Sequence, residues 1–236
     1  MKKILALVLV LSTCFLFASC AADSRKKQLA LAANPIEVNH SDSQQDDYVE
    51  FLDKLDAFAA KLTLDGKWEK LGMMGEDPPK GDFRIMPALA KLPDGSLLGI
   101  ARYASENEPG FTQLDVYLSD DEGKTWNYET KLAFIDEDMS GGSPPALCSL
   151  PDGTVVLAFF RRQDPRGLFI TTTRDGKSWS EPVALRTDAV NTDIGYPRIA
   201  FFNNEIHILY YYNLGEEENR FVADTIISEW ETLIND

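Results

Sequence analysis

The chain has 236 residues, 44% of them hydrophobic and 13 of them Phe, enough apolar mass for a buried core in one or two domains. Its net charge of −15 argues against nucleic acid or an anionic membrane face as a partner recognised through bulk charge. An anionic ligand must instead be held by a local arginine cluster working against the overall field.

The first element is an export signal over residues 1–19: Lys2 and Lys3 precede the apolar run ILALVLVLSTCFLFA, which ends in small residues. The run is shorter than the roughly 20 residues a spanning helix needs. Phe17-Ala18-Ser19-Cys20 resembles the lipobox of bacterial lipoproteins, which implies a lipid on Cys20 and an exported, membrane-anchored protein at the bacterial cell envelope or surface. An ordinary signal cut near Ala22 is the other reading. With Cys14 inside the signal and Cys20 lipidated, Cys148 has no partner within the chain and reads as a small buried hydrophobe.

Residues 20–43 are polar and aperiodic, as a flexible tether is. Over 44–66 the apolar residues Tyr48, Phe51, Leu52, Leu55, Phe58, Ala59 and Leu62 recur at steps of three and four, with Asp46 and Asp47 at the front and Gly66 at the end. That spacing predicts one amphipathic helix.

From residue 67 to 236 the pattern is all-β. MPALAKLPDGSLLGIAR aligns with PPALCSLPDGTVVLAFFR; Pro87 and Pro145 stand 58 residues apart, and a weaker third copy begins at Pro197, 52 residues further on, with Asn203-Asn204 at its turn. Each copy reads as strand, tight turn, strand. A second motif repeats alongside. SDDEGKTW (Ser119, Asp121, Gly123, Thr125, Trp126) returns as TTRDGKSW (Thr173, Asp175, Gly176, Ser178, Trp179), with the two tryptophans 53 residues apart. A unit of about 50 residues holding two hairpins is the sequence pattern of a four-stranded propeller blade. A calcium loop does not fit these turns, because the acidic residues miss the alternating positions and no Glu follows at the required spacing.

The two turns resemble the Asp-box of the sialidase (neuraminidase) superfamily, the BNR-repeat β-propellers. That resemblance implies a structural turn: Asp accepts backbone N–H bonds, Gly takes the positive-φ position and Trp closes an apolar seam. It covers about residues 80 to 230 and yields a partial or shortened propeller of four-stranded antiparallel blades preceded by the helix. Six blades would need roughly 300 residues at about 50 each. Three blades leave two raw edges, one for the helix to cover and one for another subunit, which makes a homo-oligomer through exposed blade edges an expectation.

The functional resemblance rests on other residues. FRIMPALAKLPDG followed by Ala101-Arg102 is similar to the sialidase arginine segment, and implies that Arg84 and Arg102 grip a sugar carboxylate with a planar fork that lysine lacks. Glu106 and Glu108 stand in the loop where the family keeps its acid/base aspartate, although a solvated acidic loop reads as well there. Tyr196 in DIGYPRIAFF matches the family's tyrosine nucleophile, the alternative being a packed tyrosine with its hydroxyl satisfied. Arg198 shares the face of Tyr196 if the strand is regular. Arg162, beside Arg161 and Arg166 in FFRRQDPRG, completes the arginine set or belongs to a charged hairpin. His207 and Tyr210 to Tyr212 read as sheet packing. The expectation is that Arg84 and Tyr196, 112 positions apart, open into one cleft with a further arginine, and burial of either removes the site in that form.

The function implied is a cell-surface sialidase-like glycoside hydrolase acting on terminal sialic acid or a related acidic sugar, or an inactive copy of one. A non-catalytic glycan-binding propeller lipoprotein and a structural propeller fragment are the alternatives. The implied partners are a glycan or sialoglycoconjugate and the membrane through the lipid anchor only; no cofactor, metal or nucleic acid is implied.

Overall fold

The computed structural model describes residues 58–62, 66–108, 112–132, 144–215 and 220–233. The export signal, Cys20, the tether and the helical pattern up to residue 57 lie outside them. Thirteen strands and one short helix, α1 (Trp230–Leu233), are formed by the described residues.

The strands fall into four antiparallel sheets. A hairpin joins β1 (Phe58–Leu62) to β2 (Trp68–Met73). Blade 1 holds β3 (Asp82–Lys91), β4 (Leu97–Ser105), β5 (Thr112–Ser119) and β6 (Asn127–Lys131) in that order. Blade 2 holds β7 (Ala146–Ser149), β8 (Val155–Arg161), β9 (Gly167–Thr173) and β10 (Val183–Arg186). Blade 3 holds three strands, β11 (Gly195–Phe202), β12 (Glu205–Asn213) and β13 (Arg220–Ile227). The first strands sit side by side, β7 lying against both β3 and β11. Strand ends from all three blades therefore meet at one place.

Residues 58–62 correct the helix expected over 44–66. They pair with β2 as a strand, Ala60 opposite Lys70 and Lys61 opposite Glu69, because Gly66 (φ 81°) turns the chain back and the sheet edge supplies backbone partners that an isolated last turn lacks. Ala59 then packs against the blade 1 turn at Gly123.

Stacking explains why these strands are apolar on both faces. Val155, Leu157 and Phe159 of β8 join Leu98, Ile100, Leu114 and Val116 of blade 1 in one core, while the alternate residues Val156, Ala158 and Phe160 join Ile206, Ile208, Tyr210 and Tyr212 of blade 3 in another. A third, smaller core of Met74, Ala101, Tyr117 and Trp126 closes blade 1 against the hairpin.

Turn chemistry fixes each repeat. Asp94 accepts the Ser96 N–H and Asp152 the Thr154 N–H, both at 2.9 Å, with Gly95 and Gly153 at positive φ. In the third copy Asn203 and Asn204 take φ of 52° and 65°, the left-handed pair that a two-residue hairpin turn requires. The Asp-box turns are self-contained. Asp121 accepts the Thr125 N–H at 2.8 Å and the Thr125 hydroxyl at 2.7 Å, Ser119 accepts the Gly123 N–H at 2.9 Å, and Trp126 donates to the Gly123 carbonyl at 3.0 Å. In the second copy Asp175 accepts the Lys177 and Ser178 N–H groups at 2.8 Å, and Trp179 donates to Gly176 at 3.3 Å. Gly176 packs on Leu98 and Leu118 of blade 1 as Gly123 packs on Ala59 and Leu71 of the hairpin. The hairpin thus stands to blade 1 as blade 1 stands to blade 2.

Candidate functional site

Blade 1 carries two arginines near its strand ends, and strand alternation sends them to opposite faces. Register sets Arg84 opposite Tyr103 and Ile85 opposite Arg102, so neighbouring pairs project from different sides. Arg84 faces the hairpin, only 4% exposed. Its guanidinium donates to the Tyr117 hydroxyl at 3.2 Å and to the Glu76 carbonyl, and Gly75 is required beside it because a Cβ there would stand 2.4 Å from Nη1. The network continues inward. Tyr117 donates to Asp115 at 3.4 Å and Gln113 donates to the same carboxylate at 2.6 Å. Burial pushes the Asp115 carboxyl above its ordinary value against the pull of those bonds and of Arg84. The fork of Arg84 is committed to the protein itself, so the cleft expected to unite it with Tyr196 is absent in that form.

Arg102 is the opposite case. It projects toward blade 2, and its Nε is buried without a hydrogen-bond partner. Loss of water and the nearby positive charge of Arg162 both lower its proton affinity, while Tyr196 acts in the other direction. Arg162, just beyond β8, uses its Nε to donate to the Ile194 carbonyl at 3.2 Å. Two guanidinium groups from adjacent blades thus lie close enough to act on one another, and Asp193 lies within the field of Arg162.

Tyr196 reaches this place through a bulge. β11 loses register between Gly195 and Arg198, and Tyr196 takes φ 53° in it, a left-handed backbone that is costly for a bulky residue. Blade 1 has the same device, a register break between Ile85 and Ala88 with Met86 at φ 55°. The residue inserted before Pro87 in the sequence is thus matched in blade 3 by Tyr196 before Pro197. Tyr196 is 44% exposed and lies against Tyr211 with ring centroids 5.8 Å apart. Tyr211 donates its hydroxyl to Asp193 at 2.8 Å; desolvation, then that bond, raise its pKa to about 12 against the field of Arg162. Tyr211 and Arg220 together hold Asp193 below the usual carboxylate range. The loop that presents Asp193 is built by Asn213, fully buried, which accepts the Val190 and Asn191 N–H groups and donates to the Asp193 carbonyl at 2.7 Å.

The remaining expected residues divide. Arg198 lies opposite Leu209 past the bulge and donates to the Pro197 carbonyl at 2.8 Å; the irregular strand removes the geometric ground for sharing a face with Tyr196. Glu108 borders a cavity of about 290 Å³ with Asp82, Tyr103, Ser105 and Gln113, on the side of blade 1 that carries Arg84. Glu106 follows β4 directly, its N–H bonded to the Gly81 carbonyl at 2.7 Å. In that cavity, bonds from Ser105, Tyr103 and Asn107 overcome desolvation and keep Asp82 below its ordinary pKa. Asp82, Asp115 and Asp193 border these residues without having been singled out in the sequence, as does Tyr211, expected there as sheet packing. Asp82 had a signal, standing two residues before Arg84 on the same strand face; Asp193 and Tyr211 had none, because a loop and a bulge bring them together.

A family described as a BNR repeat-like domain matches residues 23–208. No curated protein matches the sequence. Among solved structures the chain is similar to a protein of unknown function from Dyadobacter fermentans, at 24% identity and TM-score 0.54 over 67% of this chain and 41% of that one. It is also similar to the GH93 α-L-arabinofuranosidase of Fusarium graminearum, at 22% identity and TM-score 0.55 over 73% and 55%. The α-L-arabinanase of Penicillium chrysogenum matches at 18% and TM-score 0.55 over 71% and 53%. At such identities the likeness concerns the fold, a β-propeller of the kind glycoside hydrolases use. The chain spans about half the length of these structures.

Proposed function

Since the chain belongs to the BNR repeat-like domain family, we propose that it is a glycoside hydrolase of the cell envelope that acts on a terminal acidic sugar, sialic acid or a relative of it, at the junction of the three blades. The observation that carries this reading is the pair Arg102 and Arg162 converging beside Tyr196, with a buried Arg102 Nε that no protein group satisfies. Like charges are brought together at a cost unless an anion completes them, and a sugar carboxylate fits two planar forks. Tyr196 is the nucleophile in this reading. The ionised Asp193, through Tyr211, supplies the fixed negative charge of the pocket wall. Export and a lipid on Cys20 belong to the same proposal, supported by the sequence ahead of the propeller.

The test is hydrolysis of a panel of fluorogenic glycosides, sialosides and uronides set against neutral arabinofuranosides. Turnover of the acidic members alone is expected, lost in Tyr196→Phe with binding retained, and weakened in binding by Arg102→Met. Equal turnover of neutral sugars, or of carboxylate methyl esters, overturns the assignment. Anchorage is tested separately: Cys20→Ser should move the protein from membranes to the soluble fraction. A second reading, a glycan-binding propeller without catalysis, is favoured by Glu108, whose cavity lies on the other face of blade 1 from Arg102. It predicts the same carboxylate-dependent binding and no turnover of any glycoside.

A further inference from the structure

The segment 191–194, just ahead of β11, holds two neighbouring side chains in opposite hydrogen-bonding roles. Its own shape is set from within. The Asp193 N–H donates to Asn191 Oδ1 at 2.9 Å, the Ile194 N–H to the Thr192 carbonyl at 3.0 Å, and the buried Asn213 amide to Asn191 Oδ1 at 2.8 Å. From this frame the Ile194 carbonyl accepts Arg162 Nε, fixing a guanidinium that can only donate. The Asp193 carboxylate accepts the Tyr211 hydroxyl on Oδ1 at 2.8 Å and Arg220 Nε on Oδ2.

An ionised carboxylate can only accept, so the single hydroxyl proton of Tyr211 lies on the Asp193 side and the oxygen offers nothing but lone pairs elsewhere. The bonds from Tyr211 and Arg220 hold Asp193 low, while desolvation and then the Asp193 bond push Tyr211 up to about 12, so the proton keeps that place at ordinary pH. Tyr211 is half-buried, its ring centroid lies 5.8 Å from that of Tyr196, and it stands in the field of Arg162. This acceptor therefore belongs to the same pocket as the arginines. We propose that Tyr211 is a specificity-determining residue of the acidic-sugar site and Asp193 its positioning residue: a ligand held by its carboxylate on the guanidinium groups must bring a hydroxyl proton to Tyr211. This rests on the proposed reading of the pocket and narrows it to sugar acids with a free hydroxyl near the carboxylate. An ether or a fluorine at that carbon sets one acceptor against another. Asp193 decides the sense of the contact. In Asp193→Asn, Arg220 can bond only the amide oxygen, so Nδ2 faces Tyr211 and donates to it, and the Tyr211 proton turns into the pocket.

The test is calorimetry with the methyl thioglycosides of D-glucuronic acid and N-acetylneuraminic acid, which resist hydrolysis. Each is compared with its analogue carrying fluorine in place of the ring hydroxyl nearest the carboxylate, and circular dichroism establishes that each variant is folded. In the unchanged protein at least one hydroxy acid should bind about tenfold tighter than its fluoro analogue. Tyr211→Phe should weaken the hydroxy acid and close that gap. Asp193→Asn should reduce the gap to less than about twofold, because the reversed Tyr211 hydroxyl no longer opposes an acceptor; an Asp193 that only supports the loop would weaken both ligands alike and leave the gap. Arg102→Met should weaken both members of the pair about tenfold and keep the gap. Equal binding within both pairs in the unchanged protein, or a gap that survives Tyr211→Phe or Asp193→Asn, overturns the proposal. Turnover of fluorogenic glycosides is read separately. A gap without turnover leaves this assignment standing and overturns hydrolysis, whereas turnover of acidic glycosides with no gap does the reverse. No binding of either acid overturns both.

Discussion

Arg84 and Arg102 stand on neighbouring strands of one blade, and their surroundings are inverted. Arg84 is enclosed by acceptors, with Tyr117, the Glu76 carbonyl and Asp115 within one network. Arg102 is enclosed by another cation and a phenol, with Nε unsatisfied. A guanidinium that the fold itself satisfies is part of the framework. One that the fold buries with its Nε unpartnered is, under the proposed function, the one a ligand completes.

The sharpest way to break this comparison is to remove each arginine in turn. Arg84→Met should destabilise the chain by about 3 to 5 kcal/mol, because Asp115 and Tyr117 lose a buried partner; thermal or urea unfolding reads it. A loss no larger than that of an exposed arginine would dissolve the distinction. Trp126→Ala should cost about 3 kcal/mol through the core it shares with Met74 and Tyr117, and leave carboxylate binding unchanged. Arg102→Met should change stability by less than about 1 kcal/mol, upward because the repulsion from Arg162 goes, and lower affinity for a carboxylate-bearing sugar about tenfold or more by calorimetry. Conversely, a strongly destabilised Arg102→Met would make Arg102 framework too.

The smallest effects separate two aspartates by pH. Asp121 is held at about 2, first by the Thr125 hydroxyl, against an ordinary 3.8. Its contribution is complete above 3.8 and is lost as pH falls through 2. Asp115 is raised above 3.8 by burial, so the folded state keeps its proton longer and stability falls as pH rises through that window. In unfolding measured from pH 2 upward, Asp121→Asn should remove part of the acid-side rise and Asp115→Asn part of the subsequent fall. The reverse assignment of slopes would show that the two environments have been confused.

Much of the fold was legible because its signals are local. Pro-Asp-Gly and Ser-x-Asp-x-Gly turns satisfy themselves within five residues, and two-sided apolar strands announce stacking on both faces. The strand at 58–62 was hidden because Phe58, Ala59 and Leu62 suit a helical stripe as well as a strand, and the deciding partner, β2, lies beyond the turn. Legibility of the site was lower. Arg84 and Arg102 were both visible as arginines, but which one the protein satisfies depends on Tyr117, Gly75 and the parity of one strand. The bulge at Tyr196 shifts that parity in β11, and nothing local to the sequence marks Asp193 or Tyr211 as its neighbours.

Because each core is owned jointly by two sheets, no sheet can hold its own strands once its neighbour departs. Strength along the chain is therefore a matter of rank: blade 2, clamped from both sides, outlasts the hairpin and blade 3, each of which is packed on one face among the described residues. Hydrogen exchange should consequently run as a gradient, slowest at Phe159 and Ile170 and fastest at β1 and β13. The converging arginines straddle the joint between blades 1 and 2, so any ligand that bridges them would also act as a rivet, slowing the opening of that joint in preference to the others.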